Sequence, residues 1–146
     1  MKRLLCALMI CASPVIQAAD EPFSVPDLVV ITHPAAGVEK LDRNEVVNLF
    51  FGRHRQLPSG IPAIPLDQPS TSQERTAFYA MLVGKNLSEI NAYWARLVFS
   101  GRMQPPRQTI SSSELLSLVR DNRGAVGYVD RQKSDSRVKV VYELGK

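Results

Sequence analysis

Ser70, Thr71 and Ser72 stand directly before an apolar run of helical spacing, with Arg75 one turn further on. Hydroxyls at the first turn of a helix can do one of two things. They cap the free N–H groups there, an effect worth about 1 kcal/mol, or they join those N–H groups and the helix dipole in holding an anion. Arg75 would add a charged donor to the second arrangement. Thr32 and His33 end the apolar run Leu28–Ile31 and could approach the same loop, because ligands of open α/β sheets sit beyond the carboxyl ends of strands. The candidate oxyanion site is therefore Ser70, Thr71, Ser72, Arg75, Thr32 and His33, with simple capping as the alternative.

Other chemistries find little footing. His33 and His54 are the only histidines, neither has an acidic or imidazole neighbour at ligand spacing, and no metal site is expected. A serine hydrolase would need a nucleophile elbow, and no Gly-x-Ser-x-Gly occurs. The reading is a non-enzyme without a cofactor. Tyr93, Trp94 and Phe99 flank Arg96 and Arg102, which fits either an exposed aromatic–arginine patch for a protein partner or a core Trp94 beside solvated arginines.

The elements that would position these residues follow from pattern. Leu28–Ile31 reads as a buried strand ended by His33-Pro34. Asp42 with Glu45 makes a capping box for a helix that Gly52 ends, with Arg53, His54 and Arg55 just beyond, where positive charge suits the dipole. Residues 63–66 form a short strand whose Pro65 argues for an edge or an early stop. Two boxes compete before the next helix, Ser70 with Gln73 and Thr71 with Glu74. Ser88 can cap a further helix carrying Ile90, Trp94, Leu97 and Val98. Pro105-Pro106 is extended, Ser111 with Glu114 opens another helix, and 125–129 and 138–142 look like strands. Strands alternating with helices point to a single α/β layered domain, a sheet with flanking helices.

The first 19 residues read differently. Lys2 and Arg3 precede the apolar stretch Leu4–Ile16, and Ala18-Ala19 offers small residues for cleavage, the pattern of a signal peptide. The residues before Cys6 and Cys11 do not suit lipidation. Cleavage removes both cysteines, so the exported domain, 20–146, has no thiol chemistry and no membrane span. It also leaves 16 basic against 14 acidic side chains. That balance and the absence of a basic run argue against a nucleic-acid partner. The expected compartment is the periplasm.

Three blocks resemble the periplasmic phosphate-binding proteins of ABC transporters. Leu41–Arg53 resembles the helix block opening that family's second lobe, Ile64–Phe78 sits where it has a strand and its phosphate loop, and Gly124–Val129 is similar to the strand that closes the lobe. The resemblance spans nearly the whole chain after the leader and implies one lobe of a type 2 periplasmic binding protein. It also implies a solute-binding-like module, with phosphate or a related oxyanion as ligand. The loop departs from the family's pattern. With Phe78 on the family's phenylalanine, Gln68 takes the arginine position and Ser70 the acidic one; Ser72 keeps the serine, and Gln73 and Glu74 replace glycine and threonine. A carboxylate in a first helical turn suits a cap and repels a phosphate. The alternative is therefore an accessory interaction module of the envelope that has lost its ligand.

Overall fold

The computed structural model describes residues 24–146, so the expected signal peptide lies outside the described residues. Five strands form one mixed sheet. They are β1 (Leu28–Thr32), β2 (Ile64–Asp67), β3 (Arg107–Gln108), β4 (Ala125–Asp130) and β5 (Lys139–Glu143), in the order β3-β2-β4-β1-β5. The helices are α1 (Arg43–Phe50), α2 (Gln73–Val83), α3 (Leu87–Phe99) and α4 (Ser112–Asp121). The expectation of a single layered α/β domain holds.

Every residue of β1 is buried, which is why its sequence is continuously apolar rather than alternating. Leu28 and Val30 face a core built with α1, α2 and α3. Val29 and Ile31 face the other way, onto Leu115, Leu116 and Val119 of α4. The larger core centres on aromatics: Phe78 stacks on Tyr128 with ring centroids 3.7 Å apart, and Phe50 meets Phe78 edge-on at 4.9 Å.

Local chemistry explains where the elements start and stop. The Asp42–Glu45 capping box forms, and Gly52 takes φ 72° just past α1. The helix that Ser88 was expected to cap begins earlier, at Asn86, which forms a full box with Glu89. Neither box expected for α2 forms. Ser72 is its N-cap, accepting from Arg75 N at 3.3 Å, because a turn closed by Ser72 N donating to Pro69 O delays the helix. The strand containing Pro65 is internal rather than an edge. Its pairing with the outer strand β3 starts only at Leu66, opposite Arg107, past the residue that has no N–H to give.

The turn before β5 is held by Asp135, which accepts from Arg137 and, at 2.6 Å, from Arg120 of α4. The Arg137 hydrogen bonds, helped by the Arg120 charge, lower the Asp135 pKa from its ordinary 3.8 to about 2. The stabilisation this carboxylate gives is complete above pH 3.8 and is lost as pH falls through about 2. An NMR titration of the Asp135 carboxyl carbon should place its midpoint near 2. A midpoint at the ordinary value would mean the Arg137 and Arg120 contacts are not held in solution.

Candidate functional site at the end of β2

β2 and β4 are parallel neighbours, so the residues following both strands meet at one end of the sheet. The centre of that end is Asp67, which is buried. Its Oδ2 accepts from Arg75 Nε at 2.9 Å and from the Tyr79 hydroxyl at 3.1 Å. Its Oδ1 accepts from the Tyr128 hydroxyl and, at 3.0 Å, from Gln68 N. Burial disfavours charge on Arg75, but the hydrogen bond and charge of Asp67 outweigh it and raise the guanidinium pKa. Tyr79 and Tyr128 have their pKa values raised well above the ordinary range, first by burial and then by the nearby Asp67 charge. Arg75 therefore stays charged, and the two tyrosines keep the protons they donate.

Gln68, fully buried, extends the network outward. Its Nε2 donates to Tyr128 O at 2.8 Å, and its Oε1 accepts from Ser112 Oγ at 3.2 Å. The single Ser112 hydroxyl proton is shared with the nearer Glu74 Oε2, at 2.9 Å, while Lys133 pairs with Glu74 Oε1. Glu74 lies in the first turn of α2 and Ser112 in the first turn of α4. A hydroxyl from the first turn of α4 and an ammonium thus meet one carboxylate in the first turn of α2. Outside it a cavity of about 430 Å³ opens, lined by Pro69, Ser72, Gln73, Asp130 and Gln132 among others.

The six residues expected to form a site are not brought together. Ser70 and Thr71 lie exposed in the turn before α2, and Ser72 caps it. Arg75 is turned inward, its guanidinium held by Asp67 and, at 3.4 Å, by Asn91. Thr32 and His33 are at the opposite end of the sheet. β1 runs antiparallel to β4, and Thr32 pairs with Val126 at the start of that strand. Thr32 is fully buried, and His33 Nδ1 accepts from Ala35 N at 2.9 Å. Lys133 and Ser112 were not anticipated. The legible signal was their place after a parallel strand and at a helix start, on the same side of the sheet as the loop.

No protein-family model matches the chain, and no curated protein does. Solved structures do. An ABC-type phosphate transport receptor from Vibrio cholerae superposes with a TM-score of 0.64 over 82% of this chain, at 18% identity, and the match takes in 47% of the receptor. The fold is that of about half a phosphate receptor. A candidate phosphate ABC transporter substrate-binding protein with bound phosphate, from Clostridium perfringens, gives a TM-score of 0.61 at 19% identity over 80% of this chain and 44% of its own. PstS from Borrelia burgdorferi gives 0.54 at 13% identity, covering 71% of this chain and 40% of that one. The chain matches less than half the length of each, and at these identities the likeness is one of fold. Among the described residues of this half-receptor fold, no helix is long and apolar enough to cross a membrane.

Proposed function

We propose that this chain is an exported, non-catalytic envelope module, built like one lobe of a phosphate-type solute-binding protein, whose oxyanion position is filled by its own Glu74. The observation that carries the reading is the Glu74 carboxylate, held by Ser112 and Lys133 where the N-termini of α2 and α4 converge. A free oxyanion at this point would have to displace a buried carboxylate and then face its charge. The module therefore acts as an accessory that engages another envelope protein rather than as a receptor on its own.

A second reading, direct binding of phosphate or a related oxyanion, is favoured by the open cavity beside Ser72 and by the exposure of Ser70 and Thr71. Calorimetric titration separates the two. Wild type should show no phosphate or sulfate binding at millimolar concentration, whereas Glu74→Thr should gain a site near 1 mM, equivalent to about −4 kcal/mol. Saturable binding by wild type, weakened by Ser72→Ala more than its loss of capping explains, would establish the receptor reading instead. If neither protein binds, the donors around Glu74 do not make an oxyanion position.

Export is supported by the charged and then apolar leader. N-terminal sequencing of the protein from the envelope fraction should begin near Ala19 or Asp20. An intact Met1 would count against export by cleavage.

A further inference from the structure

A second concave surface lies near the opposite end of β2, away from the Glu74 site. It is a groove of about 520 Å³ between the chain that follows α1 and the chain that follows α3. Its walls bring together His54 and Arg55, which follow α1, Arg102, which follows α3, and Arg107 of β3. No aspartate or glutamate lines it. Among the described residues Arg55 and Arg102 have no carboxylate within 4 Å, and the one partner of Arg107, Glu114, is 3.9 Å away. The floor is apolar, formed by Met103 with the Pro105-Pro106 strap over the buried Trp94. Gly52 keeps this floor open: a Cβ there would come within 3.2 Å of both Met103 and Trp94.

Two arginines without a carboxylate, Arg55 and Arg102, and the loosely paired Arg107, brought from three separate segments around a floor of methionine and proline, define the chemistry of the occupant. We infer that this groove docks an extended acidic peptide segment of a partner protein, with one apolar anchor on Met103 and the Pro105-Pro106 strap, above the buried Trp94, and flanking carboxylates on Arg55, Arg102 and Arg107. The apolar anchor supplies desolvated contact area, and the arginines supply steering and charge-assisted hydrogen bonds. A groove this short and this apolar suits one anchored side chain better than a phosphodiester strand, which needs a longer basic track. This goes beyond the Glu74 reading and uses none of its residues.

Trp94 is the chain's only tryptophan, so its emission reports on the groove directly. The probe is a synthetic decapeptide of alternating Asp and Glu with one central leucine, titrated into the exported domain at low salt. Saturable emission change at sub-millimolar peptide is expected, weakened at least tenfold in the Arg55→Ser/Arg102→Ser double variant. Both arginines are exposed, so the variant should keep the wild-type circular dichroism and melting midpoint. Affinity should also fall with added salt, and a leucine-to-serine peptide should bind at least fivefold more weakly. The proposal is overturned by an unchanged Trp94 signal at millimolar peptide, or by equal binding to the double variant. It is also overturned if an oligo-dT strand or anionic vesicles bind equally well, or if the emission depends on protein concentration alone, which would mean that a second copy fills the groove. None of these outcomes bears on whether Glu74→Thr gains phosphate.

Discussion

Asp67→Ala should destabilise the domain by about 3–5 kcal/mol, the usual result of removing one partner from a buried ion pair. The substitution leaves the Arg75 guanidinium, whose side chain is 7% exposed, without its carboxylate. It also removes the acceptor for the hydroxyl protons of Tyr79 and Tyr128. Small domains have only about 5–15 kcal/mol to lose, so the urea midpoint should fall by a large fraction. The double variant Asp67→Ala/Arg75→Met should regain part of the loss, because the stranded charge goes with the arginine. A double variant no more stable than Asp67→Ala alone would show that the carboxylate serves the tyrosines and Gln68 rather than Arg75.

Gly124→Ala is the second large effect, near the upper end of overpacking costs at about 3 kcal/mol. A Cβ at this position would overlap the carbonyl oxygen of Pro62. That oxygen belongs to the backbone, so relief requires the 61–64 segment to move. The same movement breaks the bond from Ile64 N to Gly124 O, 2.8 Å long, which joins β2 to β4. Hydrogen exchange should therefore show the Ile64 amide losing protection, together with a lower melting midpoint. Retained protection at Ile64 would mean that the loop yields elsewhere.

The parts of this fold that were legible in sequence are those governed by neighbouring residues. The Asp42–Glu45 box and the uninterrupted apolar run of β1 are local statements, and both hold. The start of α2 was not legible, because Ser70, Thr71 and Ser72 offer three equivalent hydroxyls and the choice falls to a turn made by Pro69. Glu74 was read as a cap for Thr71, yet it is drawn the other way by Lys133, 59 residues downstream. Arg75 finds Asp67 eight residues back, across the turn between β2 and α2, where no single period runs from one to the other. Thr32 and His33 were misplaced for a related reason. A fully buried apolar strand carries no mark of its direction, and the antiparallel setting of β1 is decided by partners far along the chain.

That setting has a consequence for how the molecule comes into being. β1 is made first, yet both of its neighbours, β4 and β5, are made last; Leu28 pairs with Asp130, about a hundred residues later. The middle of the sheet cannot close until β4 and β5 have been released, and contacts of such long range slow folding. The centre of the sheet therefore stays open until late in synthesis, and the strand order itself postpones folding.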